Sequence, residues 1–118
     1  MTNETLERLE AERERTRGQL HGLMRDFDQV VEASLDSNAD DEHDPDGSTV
    51  AFERSQVDSM LQQTRQHLVE IDAAMERVAA GTYGTCESCG QQISEARLEA
   101  RPVARLCIAC ASAKESQR

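Results

Sequence analysis

Apolar side chains recur at alternating steps of three and four over the first third of the chain. Leu6, Leu9, Arg13, Thr16, Leu20, Leu23, Phe27 and Val30 fall on one helical stripe, with a polar gap at Arg13 and Thr16. Such spacing is the pattern of a heptad seam, one face of a helix buried against a partner. No proline interrupts Thr2 to about Leu35, so one long helix is predicted there. Gly18 and Gly22 lie inside it, each costing about 1 kcal/mol relative to Ala. Either they admit a close partner helix or they loosen their own; the sequence leaves both open. A second, more regular stripe runs through Val50, Val57, Leu61, Thr64, Leu68, Ile71, Met75 and Val78, and Gly81 just beyond Ala80 supplies a stop. Two matched stripes joined by about a dozen residues predict an antiparallel helical hairpin. Helices that pair with a second copy of the chain are the alternative.

The joining segment, Asp36 to Gly47, holds six acidic residues and no Lys or Arg, with breakers at Pro45 and Gly47. Pro45 disfavours helix at Asp44 and marks the turn. Asp46 then lies near the start of the second helix, where a carboxylate meets unpaired backbone N–H groups. The expected organisation is a coiled-coil hairpin over residues 1–80, with an acidic tip at about 36–47, and a second module over 81–118. Asp40, Asp41, Glu42, Asp44 and Asp46 offer oxygen ligands for Mg²⁺ or Ca²⁺. The loop lacks the EF-hand pattern, however, and a solvated acidic loop is the plainer reading.

Beyond Gly81 the pattern becomes that of a small metal module. Cys86 and Cys89 form one Cys-x-x-Cys pair and Cys107 and Cys110 another, with seventeen residues between them. Each pair brings two sulfurs onto one tight turn, and the intervening length lets the chain fold back. Four thiolates close a tetrahedral zinc shell with no open position, so one structural zinc ion is predicted. Two disulfides are disfavoured because no signal peptide is evident and the chain reads as cytosolic. An iron–sulfur cluster takes the same ligands, but the even spacing favours zinc. Gly84 and Gly90 flank the first pair and free the backbone to point N–H groups at sulfur. Residues 97–118 carry Arg97, Arg101, Arg105, Lys114 and Arg118 against Glu99 and Glu115, so this end is mildly basic. Residues following Cys110 are expected to form a short terminal helix. The fold class expected is thus mainly α: a two-helix hairpin with a four-cysteine finger.

Composition narrows the functions on offer. Only 3% of residues are aromatic and none is Trp, too few to anchor a large core, so metal and helix packing must supply stability. A net charge of −10 repels phosphate backbones, which argues against sequence-specific DNA binding. No apolar run approaches the ~20 residues that span a membrane. Thr85, Ser88 and Ser94 lack a base partner, and no phosphate-binding glycine loop occurs, so no enzyme is expected. His21, His43 and His67 are scattered and not needed by a closed four-sulfur site; His21 and His67 read as exposed helix surface.

The run Gly81-Thr82-Tyr83-Gly84-Thr85-Cys86-Glu87-Ser88-Cys89-Gly90, with Arg97-Leu98-Glu99-Ala100-Arg101-Pro102 leading to Cys107-Ile108-Ala109-Cys110, resembles the finger of the DksA/TraR C4-type zinc finger proteins. The hairpin and acidic tip extend that resemblance, less specifically, over most of the chain. It implies a regulator of transcription that binds bacterial RNA polymerase rather than DNA. In that family the hairpin enters the secondary channel and its acidic tip alters the lifetime of promoter complexes. The family's Asp-x-x-Asp-x-Ala tip falls here on His43, Asp46 and Ser48, with Asp44 adjacent, so Asp44, Asp46 and Ser48 are the candidate partner-binding residues. The basic positions through which some members bind guanosine tetraphosphate correspond to Gln63, Glu70 and Ala111. None is basic, and no response to that alarmone is expected. Arg97, Arg101 and Arg105 would either meet the polymerase or offset the finger's own thiolate charge; for at least one, the second role is expected. A cytoplasmic monomer completes the expectation. A zinc-finger adaptor for another protein and a thiol redox sensor are the alternatives.

Overall fold

The computed structural model describes residues 2–40 and 45–116, with side chains described for 3–33 and 49–116. Four helices follow in order: α1, Thr2–Asp40; α2, Pro45–Ala80; α3, Glu95–Ala100; and α4, Ile108–Ser116. No strand occurs among the described residues; Thr85 and Gln92 form an isolated antiparallel bridge. The fold is therefore mainly α, two long helices followed by a small finger.

Both helices run further than their patterns suggested. α1 continues through the acidic residues Asp36 to Asp40, and α2 starts at Pro45. Once a helix is nucleated, each added residue gains a hydrogen bond, which outweighs the modest intrinsic preference of Asp, Ser and Asn for turns. Proline suits the first helical position because its missing N–H would have no partner there. Of the interval expected as a loop, only residues 41–44 fall outside the described residues.

Residues cluster into two compact units, Met1–Arg13 with Val69–Arg118, and Glu14–Leu68. In the first, the start of α1 lies along the end of α2. Leu9, Ile71, Ala74, Val78 and Val103 form its core, with Leu6, Met75 and Tyr83 packed against them. Leu9 and Ile71 are fully buried, each contributing about 1.5–3 kcal/mol of apolar burial. Arg13 fills its polar gap by an ion pair with Asp72, Nε to Oδ1 at 3.4 Å. Ala74 lies off the predicted stripe and is buried in the cluster that includes Val103.

In the second unit Thr16 and Leu61 are buried, and Leu20, Leu23, Phe27, Val30, Val50, Val57, Thr64 and Leu68 are half-buried. Every stripe position of both helices is thus turned from solvent to some degree. The Arg54 guanidinium stands 5.9 Å from the Phe27 ring centroid, within range of a cation–π contact. Thr64 donates its hydroxyl to the Met60 carbonyl one turn back at 2.7 Å. A Cβ built on Gly18 or Gly22 would meet nothing within 4 Å. Neither glycine admits a close neighbour, which leaves the loosening of α1 as their effect.

Candidate metal centre

α2 ends in a complete Schellman turn. Thr82 N–H reaches back to the Arg77 carbonyl at 2.9 Å and Gly81 N–H to the Val78 carbonyl at 3.2 Å. Gly81 adopts φ +78°, the left-handed conformation this closure needs and glycine supplies without strain. The chain then enters the first cysteine turn. Ile93 N–H donates to the Gly84 carbonyl (2.7 Å), Cys86 N–H to the Gln91 carbonyl (2.8 Å) and Gly90 N–H to the Cys86 carbonyl (3.0 Å). These bonds fold residues 84–93 into a tight knuckle, with Gly90 at φ +76°.

Ser94 then caps α3, its hydroxyl accepting from Arg97 N–H. The return run, Pro102 to Leu106, delivers the second pair. Cys107 immediately precedes α4, and its carbonyl accepts the helical N–H of Ala111 at 2.9 Å. Cys110 falls in that helix's first turn.

The four sulfurs of Cys86, Cys89, Cys107 and Cys110 lie within 4.8 Å of one another. All four cysteines are free. Cys89 Sγ and Cys107 Sγ are 3.8 Å apart, far beyond a bonded S–S length of ~2.05 Å. Sulfurs ~2.3 Å from a tetrahedral centre are spaced by ~3.8 Å, so the donors fit one zinc ion. Bound there, zinc has four protein ligands and no open position, and serves structure.

The thiols are unequal. Cys86 is buried, and its pKa is lowered to about 6, chiefly by the Cys107 N–H and then the Cys89 N–H pointing at its sulfur, with a smaller contribution from Ser88 N–H; burial opposes them. Cys110 is pushed up to about 12, first by the Cys107 side chain and also by Cys86 and Cys89, against the Ser88 hydroxyl. Backbone donors thus favour the thiolate at Cys86, while the neighbouring side chains favour the protonated form at Cys110. Zinc binding requires that proton to leave.

Arg97 Nε donates to the Leu106 carbonyl at 2.8 Å. That bond holds the backbone ahead of Cys107, a role sequence reasoning had not assigned to Arg97. Sequence reasoning missed Arg77 and Tyr83, whose side chains reach the Val103 and Pro102 carbonyls. Among the described residues, the four cysteines are the group of metal-ligating side chains brought together. His21 is exposed, whereas His67 is half-buried. Asp44 lies outside the described residues, as do the side chains of Asp46 and Ser48. No helix among the described residues is long and apolar enough to cross a membrane.

Two long helices with a closed four-sulfur centre at their end define a helical zinc-finger protein. Residues 81–116 match the sequence model of the prokaryotic dksA/traR C4-type zinc finger, so the chain carries a finger of that type. General stress protein 16O of Bacillus subtilis is 38% identical over 72 residues, 61% of this chain and 44% of its own length. The RNA polymerase-binding transcription factor DksA of Escherichia coli is 43% identical over 51 residues, 43% of this chain and 34% of its own. The chain therefore spans less than half the length of these curated relatives. The solved structure of transcription factor DksA2 from Pseudomonas aeruginosa shares the fold, with a TM-score of 0.80 at 24% identity over 98% of this chain and 84% of that one.

Proposed function

We propose that this chain is a bacterial transcription regulator that binds RNA polymerase directly. Its two-helix hairpin enters the secondary channel, and the zinc finger forms the base. A shared fold alone would not carry that reading. The observation that carries it is the finger: four converging sulfurs at 81–116, in a segment matching a family that includes a factor described as RNA polymerase-binding. The acidic residues of the tip give a hairpin entering a confined passage a charge that can steer and orient it. Asp44, Asp46 and Ser48 are the tip residues assigned to that contact.

The same reading makes the protein a cytoplasmic monomer that acts without reading DNA sequence. Gln63 and Glu70 on α2 and Ala111 on α4 supply no cation for guanosine tetraphosphate, so its effect is independent of that nucleotide. The deciding experiment is binding to purified RNA polymerase with the secondary channel open and blocked. Competition by the blocker, together with altered open-complex lifetime that Asp46→Asn abolishes, is the expected result. Unchanged promoter lifetimes and no binding would sink the proposal. Binding to a different protein by the same hairpin would make this an adaptor.

A further inference from the structure

Four donors converge on the run just ahead of the second cysteine pair. Tyr83 Oη–H donates to the Pro102 carbonyl at 2.9 Å, and an Nη2–H of Arg77 to the Val103 carbonyl at 3.4 Å. The backbone N–H of Glu87 donates to the Arg105 carbonyl at 2.9 Å, and Arg97 Nε–H to the Leu106 carbonyl at 2.8 Å. Two of these donors come from the end of the long helices, since Arg77 lies in the last turn of α2 and Tyr83 in the turn after it. The other two come from the first knuckle and α3. Between them, the Val103 side chain is buried in the core with Leu9, Ile71, Ala74 and Val78. Four of the five residues 102–106 are thus tied, two to the helices and two to the finger, and the next residue is a ligand.

We propose that this strap makes metal occupancy and the integrity of the helical base one equilibrium, with Arg77 and Tyr83 as positioning residues for Cys107 and Cys110. The proposal rests on zinc being held by the four cysteines. Zinc binding to a finger is also folding, because the ligands must be brought together and ordered. Here part of that ordering is already done before the metal arrives: the partly buried carbonyls of Pro102 and Val103 find their partners on side chains anchored in the base. Whatever the base contributes to metal affinity, the metal must return to the base by the same factor. The core cluster is the physical link, since Val103 cannot leave it without shifting the backbone that leads to Cys107.

The test uses the whole chain with Co²⁺ as a spectroscopic probe and Zn²⁺ in competition. The expected result is that Tyr83→Phe and Arg77→Gln keep the absorption bands of a four-sulfur tetrahedral Co²⁺ site. Each should bind zinc about 3- to 10-fold more weakly, the range one lost hydrogen bond supports. Arg77→Lys, which keeps a donor, should recover part of the loss, and Met60→Ala should leave affinity unchanged. Chelating the metal from the unaltered protein should speed hydrogen exchange at 71–78 while leaving 20–30 as before, and in Tyr83→Phe that difference should shrink. Wild-type zinc affinity in both variants, or exchange at 71–78 indifferent to metal, overturns the strap. Absence of a four-sulfur spectrum in the unaltered protein overturns the zinc reading itself, and with it the proposal.

Discussion

Gly18 and Gly22 give the sharpest test of the packing described for the long helices. Both occupy the interior of α1, and a Cβ placed on either would have open space within 4 Å. Alanine at each should therefore meet no clash, and the whole effect should come from backbone freedom lost by the unfolded chain and from helix propensity. That effect is about 0.5–1 kcal/mol per site. The two positions share no packing partner, so the double variant should gain about 1–2 kcal/mol. For a chain of this length, one kcal/mol shifts the melting midpoint by roughly 3–6 °C, so the double variant should melt about 3–12 °C higher. Urea unfolding followed by far-UV circular dichroism, repeated over a range of protein concentrations, reads the change directly. A loss of stability, or a midpoint that moves with concentration, would mean that something packs against that face. The two helices would then be pairing with a second copy of the chain, and the intramolecular hairpin would be wrong.

Three further outcomes follow from the core and the metal centre. Ile71→Ala should cost about 2–5 kcal/mol because the side chain is fully buried, whereas Met60→Ala, half exposed, should stay within about 0.5 kcal/mol; similar urea midpoints for the two would contradict the assigned core. Burial raises the Tyr83 pKa above its ordinary 10.0, with Arg8 and Arg77 pulling it partly back. The neutral phenol is the form the fold stabilises. Its contribution is complete below pH 10 and fades as pH rises through the folded value. Because the chain has one Tyr, tyrosinate absorbance tracks this directly, and unfolding midpoints that rise across the same alkaline range would refute it. Cys86→Ser or Cys110→Ser should abolish stoichiometric zinc and melt the finger, since a structural zinc supplies ~10–16 kcal/mol of apparent binding that doubles as folding energy; an unaltered melting temperature would count against a structural metal.

What could be read from the sequence follows from how local each cause is. The two stripes depend only on helical period, and every position on them is turned from solvent. Gly81 depends only on its own φ, and it closes α2 as expected. The cysteine spacing encodes its own geometry, and the sulfurs converge. Ala74 stands in step with Ile71 and Val78 and joins the cluster shared by Leu9 and Val103, but alanine carries too little apolar weight to mark a face. Arg77 and Tyr83 were missed because a carbonyl partner 26 or 19 residues away leaves no trace in spacing. Asp36 to Asp40 read as loop because Asp, Ser and Asn favour turns, whereas helix propagation carries α1 through them.

Leu9 and Val103 share one cluster although 94 positions separate them, counting 103 minus 9. Few contacts in a chain this short span so much of it, and the entropic cost of closing such a loop grows with the logarithm of its length. The converse holds for disassembly. Withdrawing Val103 opens the cluster it shares with Leu9, so damage beside the cysteines is felt at the start of α1.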